Sequence, residues 1–141
     1  MSGVAPNGSS RPSTPRKRRA FPRSVRLLRH ADFEQVYRLG RRHFAAHMTV
    51  FYLFRAESEG MRVGFTVGRA LGGAVQRNRM KRRLRSAVRL QWPEQPVAAD
   101  VVINPKKTVL GVDFPELARE VATAFAVIQK FAEKQNSRPS P

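Results

Sequence analysis

Apolar side chains recur along this chain at two periods, and each change of period marks the boundary of an element. Phe33, Val36 and Tyr37 fall at i, i+3 and i+4, one face of a short helix. Asp32 and Glu34 occupy its first turn, where acids favour the positive end of the helix dipole. Gly40 follows as a C-terminal stop. The period then shortens. His43 to Ala46 reads as a short strand, and Met48 to Arg55 is rich in the strand formers Thr49, Val50, Phe51, Tyr52 and Phe54. Glu57-Ser58-Glu59-Gly60 is a turn signal, so Met61 to Arg69 is expected to return as a hairpin partner. That segment alternates: Met61, Val63, Phe65 and Val67 share one face, while Arg62, Gly64, Thr66 and Gly68 share the other. The first face suits a core. The second is small and polar and leaves room for something to lie on it.

Leu71-Gly72-Gly73 turns the chain into a helix predicted from Ala74 to Gln91 and ended near Pro93. Within it Met80, Leu84, Ala87 and Val88 cluster in an arc of roughly 100°, enough to pack on a sheet. Val101-Val102-Ile103, preceded by Asp100, is a short all-apolar strand. Asp113 can cap a last helix with Pro115 in its first turn. There Leu117, Val121, Ala124, Phe125 and Ile128 recur at helical spacing. The order α-β-β-β-α-β-α predicts a single small α+β domain, a sheet of about four strands packed by helices.

The ends break the pattern. Residues 1–24 hold four prolines, several serines and the run Arg16-Lys17-Arg18-Arg19, with few apolar groups to offset the entropy of ordering. They are expected to be a disordered basic tail, residues 25–134 the folded domain, and 135–141 a second tail.

Composition adds the partner. The chain of 141 residues carries 27 Lys+Arg against 10 Asp+Glu, a formal net charge of +17. Setting aside the six basic residues of the tail leaves 21 against 10, so the domain itself remains at +11. Such a chain is drawn to polyanions, nucleic acid above all. No apolar run approaches the ~18–20 residues needed to span a bilayer, and no secretory h-region follows Met1. A cytoplasmic protein without membrane attachment is expected. With no cysteine, disulfides and thiolate metal sites are excluded.

The charge is concentrated. From Arg69 to Arg89 there are eight basic residues and no acid. On the predicted helix Asn78, Arg82, Arg85 and Arg89 form a stripe opposite the apolar arc, flanked by Arg79 and Lys81. Charged helix faces usually mix signs. Here like charges at i, i+3 and i+4 repel by a few tenths of a kcal/mol per pair, roughly, and an anionic partner explains their survival. Arginine predominates, which suits bidentate contacts to phosphate. If four of these groups neutralise phosphates, affinity should fall with log salt at a slope of about −3.

A second surface is aromatic. Phe33 and Tyr37 share a helix, and Phe51 projects from a strand with Thr49, Leu53 and Arg55. Beside a Gly/Thr strand face these rings would make a stacking platform for unpaired bases. Small-domain aromatics are more often core. No protein active site is legible. Gly68 to Gly73 matches neither phosphate-loop pattern. His30, His43 and His47 have no metal-ligand spacing, and no carboxylate pair or nucleophile–base arrangement appears.

Arg77-Asn78-Arg79-Met80-Lys81-Arg82-Arg83-Leu84-Arg85 resembles the RNR signature of the bacterial ribonuclease P protein family, roughly R-N-x-x-K-R-x-x-R. The likeness extends to Arg62-Val63-Gly64-Phe65-Thr66-Val67 with Gly73-Ala74-Val75, to Ala31 through Tyr37 with Gly40, and to Asp100-Val101-Val102-Ile103. It covers about residues 25–134. The resemblance implies a left-handed β-α-β crossover containing the RNR helix. It implies that a catalytic RNA cuts precursor tRNA with Mg²⁺, while the protein binds no cofactor of its own, assists removal of the 5′ leader, and joins the RNA one to one. Matched by position, the contacts to the RNA subunit fall on Arg69, Arg77, Asn78, Arg79, Lys81, Arg82, Arg85 and Arg89. The cleft for the single-stranded leader falls on Phe33, Tyr37, Phe51 and Thr66. The family usually carries a Ser and one or two Lys where this chain has Gly68, Arg69 and Ala70, so Arg69 keeps a charge that Ala70 drops. Asn104-Pro105-Lys106-Lys107 also departs from many members.

Two other readings of the basic domain stand beside this one. A structural RNA-binding protein, ribosomal or translation-factor-like, would play no part in tRNA cleavage. A nucleoid-type DNA binder would take duplex DNA as readily as folded RNA.

Overall fold

The computed structural model describes residues 30–55 and 60–136. The tail expected over 1–24, the turn residues Glu57, Ser58 and Glu59, and positions 137–141 lie outside the described residues. The elements, in order, are α1 (His30–Leu39), β1 (Arg41–Phe44), β2 (Met48–Phe54), β3 (Arg62–Phe65), α2 (Ala74–Leu90), β4 (Ala99–Pro105) and α3 (Phe114–Asn136). Short 3₁₀ turns at Arg69–Leu71 and Lys107–Leu110 precede α2 and α3. This is the α+β order the periodicity predicts.

The four strands form one mixed sheet in the order β1-β2-β4-β3. β2 pairs antiparallel with β1 and with β4, and β3 runs parallel to β4. The expected hairpin between β2 and β3 is therefore not formed: β4 lies between them. The reason is visible in β4 itself. Val101, Val102 and Ile103 are buried on both faces of the sheet, and a continuously apolar strand gains most from a central position. β3, with Arg62 and Gly64 on one face, takes the edge. The first strand is Arg41–Phe44, two residues earlier than expected, and His47 falls in the β1–β2 turn.

The two sheet faces have different cores. Met48, Val50 and Tyr52 of β2, Val63 of β3, and Ala99, Val101 and Ile103 of β4 pack against Met80, Leu84, Ala87 and Val88 of α2. Leu117, Val121, Ala124, Phe125 and Ile128 of α3 complete that core. Both apolar helical stripes are buried as their spacing predicts. The opposite face carries a smaller cluster, Val36 and Val102, ringed by Phe33, Phe51 and Leu53. There α1 crosses the sheet. Its end is set by Gly40, whose N–H reaches Val36 O at 2.9 Å. A Cβ at Gly40 would stand 2.5 Å from Val36 O and 2.6 Å from Tyr52 O, so only glycine lets the chain pass so close to β2.

An ionic chain ties α1 to the same face. Arg62 donates through Nε and Nη2 to the two oxygens of buried Asp100, each at 2.9 Å. Arg55 Nε stands 2.9 Å from Asp100 Oδ1, and Asp32 of α1 is 3.8 Å from Arg62.

Candidate nucleic-acid interface

The turn before α2 aims the helix. Gly72 has φ 139°, a conformation that favours glycine. Gln76 Oε1 accepts the Gly73 N–H at 2.9 Å, and Arg77 N–H bonds Gly73 O at 2.9 Å to begin the helix. Tight-turn glycines are what the sequence indicates here. With Met80, Leu84, Ala87 and Val88 fully buried, the helix has no rotational freedom, and its cationic side is fixed by default.

Along that side the expected residues divide into three groups. Arg69, Asn78, Arg79 and Arg82 are exposed. Lys81, Arg85 and Arg89 are half-buried, and for Arg85 the burial reaches the guanidinium Nε. Arg77 folds back, its Nε donating to Gly72 O at 3.1 Å, so part of its guanidinium braces the turn. Arg83, which the stripe omits, donates to the Val112 carbonyl and ties α2 to the loop before α3. Among the described residues none of Arg69, Arg79, Lys81, Arg82 or Arg89 is paired with a carboxylate. The positive field of this face is not neutralised internally.

The aromatic residues converge on the α1 face of the sheet. Tyr37 and Phe51 meet edge to face, centroids 4.9 Å apart. The Tyr37 hydroxyl lies 2.7 Å from Thr66 Oγ1 and 2.9 Å from Asn104 Oδ1. Asn104 Oδ1 can only accept, so the phenolic proton goes there and the Thr66 hydroxyl donates to the phenol oxygen. Phe33 is half-buried against Val36 and Val102. All four cleft residues named from the sequence thus lie on one face, with Phe33 partly a packing residue.

Strand register identifies further groups on that face. Arg42 pairs with Phe51, Phe51 with Val102 and Gly64 with Val102, which makes one row across the sheet. Phe44 pairs with Thr49 and Thr49 with Asn104 in the next row. Arg42 holds its guanidinium 5.8 Å from the Phe51 ring centroid, and Phe44 is 69% exposed. The face therefore combines exposed or half-exposed rings, small polar groups and a cation, the components of a single-strand platform. Arg42, Phe44 and Asn104 were missed in the sequence. The alternation Arg42/Phe44 is the signal available for the first two, which the β1–β2 register places, and Asn104 could not be placed without the β2–β4 pairing.

Another grouping was hidden for the same reason. His47, Glu116 and Glu120 come together although 69 residues separate His47 from Glu116. Among the described residues no helix is long and apolar enough to cross a membrane.

A small mixed sheet, a fixed cationic helix and a sheet face carrying clustered aromatic side chains define a basic α+β protein. Comparison with known proteins makes the class specific. The family model for ribonuclease P matches residues 21–129. The ribonuclease P protein component of Symbiobacterium thermophilum is 40% identical over 103 residues, covering 73% of this chain and 90% of that protein. The structure of the RNase P protein from Thermotoga maritima superposes with a TM-score of 0.63 at 25% identity, covering 71% of this chain and 94% of that one. The Staphylococcus aureus RNase P protein shares the fold, with a TM-score of 0.65 at 21% identity and coverages of 74% and 94%. This chain belongs to the ribonuclease P protein family.

Proposed function

We propose that this chain is the protein subunit of ribonuclease P, which joins a catalytic RNA and assists removal of the 5′ leader from precursor tRNA. Family membership supports the general role, RNA binding in tRNA processing. The observation that carries the finer reading is the exposed, carboxylate-free set formed by Arg69 in the 3₁₀ turn before α2 and Asn78, Arg79 and Arg82 on α2, whose other side is locked in the core. These residues engage phosphates of the RNA subunit, with Arg77, Lys81, Arg85 and Arg89 adding charge at the margins.

The leader of the substrate lies on the face formed by Phe33, Tyr37, Phe51 and Thr66, where unpaired bases stack and backbone phosphates meet Arg42. Chemistry belongs to the RNA with its Mg²⁺. The cleft-face carboxylates Asp32 and Asp100 are engaged by Arg62, so they hold α1 in place and are poor candidates for ligating a catalytic ion. The protein's contribution is orientation and charge neutralisation, with one copy per RNA.

Crosslinking the full-length protein to RNA and sequencing what is captured tests this reading. The expected result is enrichment of one long catalytic RNA together with tRNA precursors that retain their leaders. Capture dominated by ribosomal RNA, or equal retention of duplex DNA, would instead support one of the rival readings.

A further inference from the structure

On the face of the sheet away from the cleft, the β1–β2 turn brings an imidazole to the first two turns of α3. Glu116 and Glu120 are one helical turn apart, so both carboxylates leave the same side. His47 Nε2 stands 3.7 Å from Glu116 Oε2 and 3.6 Å from Glu120 Oε2. One donor atom from each residue can be chosen so that all lie within 4.8 Å of one another.

Two features separate this group from an ordinary surface ion pair. The first is distance. An N–H···O bond closes to about 2.7–3.2 Å, and both separations exceed that. Two ligands that share one cation at about 2.0–2.1 Å in tetrahedral geometry stand about 3.3 Å apart, so the imidazole is a few tenths of an ångström wider from each carboxylate than a closed shell requires. The second is the support behind the donors. His47 Nδ1 lies 2.8 Å from Thr108 Oγ1, and the His47 N–H donates to Glu120 Oε1 at 3.1 Å. The ring tautomer that donates Nδ1–H to Thr108 leaves the Nε2 lone pair directed at the carboxylates. This is how outer-shell partners orient a ligating histidine. The side chains of His47 and Glu120 are only 19% and 14% exposed, while Glu116 is 50% exposed. The site is thus walled on one side and open to water on the other, as a shell completed by solvent needs. Arg119, on the same helix, forms no ion pair with either carboxylate among the described residues.

We propose that His47, Glu116 and Glu120 bind a first-row divalent cation, with Zn²⁺ the best match to one imidazole nitrogen and two carboxylate oxygens. Mg²⁺ is a poorer match, because it prefers an octahedral all-oxygen shell and keeps its waters. The bound ion clips the β1–β2 turn to α3 and to the 3₁₀ turn that carries Thr108. This assignment does not rest on the RNA reading.

The test uses the full-length protein, stripped with a chelator and dialysed, then titrated calorimetrically with ZnCl₂ while thermal unfolding is followed in parallel. The expected result is one Zn²⁺ per chain and an unfolding midpoint that rises with Zn²⁺. His47→Ala and Glu120→Gln should each weaken binding at least about tenfold, and His43→Ala should leave it unchanged. Glu116→Gln guards against misfolding as the cause. Its ligand is the most exposed, so it should unfold like the parent in chelator yet bind Zn²⁺ more weakly. Absence of saturable uptake by the parent, or uptake undiminished in both His47→Ala and Glu116→Gln, would overturn the proposal. So would an equal midpoint rise with Mg²⁺ at the same concentration.

Discussion

Phe51 is held by two different neighbours, the Tyr37 ring edge and the Arg42 guanidinium, and its own face remains partly open. Base stacking on an aromatic residue contributes about 1–3 kcal/mol per base. Phe51→Ala should therefore weaken binding of precursor tRNA with a long leader by roughly ten- to a hundredfold, by that energy, and leave leaderless tRNA unaffected. Competition binding to the assembled enzyme measures both, and equal loss for the two substrates would remove the cleft assignment. Gly40 makes a different kind of prediction. A methyl group there meets two backbone carbonyl oxygens at 2.5 and 2.6 Å, neither of which can swing aside. Gly40→Ala should cost about 1–3 kcal/mol of stability or more in urea unfolding, since α1 must lift from β2 to admit it. An unchanged midpoint would mean that the α1–β2 contact yields easily.

Among the elements, α2 has one side packed in the core and one exposed cationic side, and the two can be tested independently. Leu84→Ala opens a cavity in the main core and should cost about 2–5 kcal/mol. Arg79→Ala with Arg82→Ala, both exposed, should leave the urea midpoint unchanged while making the salt slope of RNA binding shallower by about 1.5–2. Arg85 is a poorer choice for such a test, because it is half-buried and its loss would mix the two effects. The division of α2 was legible in the sequence because a 3.6-residue period alone decides which side faces the sheet. The stripe of α3 and the alternation of β3 were legible for the same reason. What local pattern could not supply was pairing. Glu57-Ser58-Glu59-Gly60 suggests a hairpin, but the burial gained by Val101, Val102 and Ile103 puts β4 in the middle and β3 at the edge. From that one non-local choice follows the row that sets Asn104 beside Tyr37, whereas Arg42 beside Phe51 comes from the local β1–β2 pairing. The approach of His47 to Glu116 and Glu120 likewise depends on tertiary packing.

For the molecule as a whole, the layers assign separate tasks to separate surfaces. The buried side of the sheet fixes α2, the opposite side carries the aromatic face beside α1 that is proposed to hold the leader, and the stretch from Thr66 to Gly73 connects that face to the cationic helix. A net charge of +17 ensures attraction to any RNA, so attraction alone does not distinguish an assisting subunit from a general RNA binder. Rate does. The decisive measurement is single-turnover cleavage of a leader-bearing precursor tRNA by the catalytic RNA at limiting Mg²⁺, with no protein, with the parent chain, and with the Arg79→Ala/Arg82→Ala variant. The parent should restore cleavage that the RNA alone has lost, the folded variant should require much higher concentration to do so, and the protein without RNA should cut nothing. Cleavage unaffected by the parent chain, or sustained by the protein after strict removal of RNA, would contradict the account.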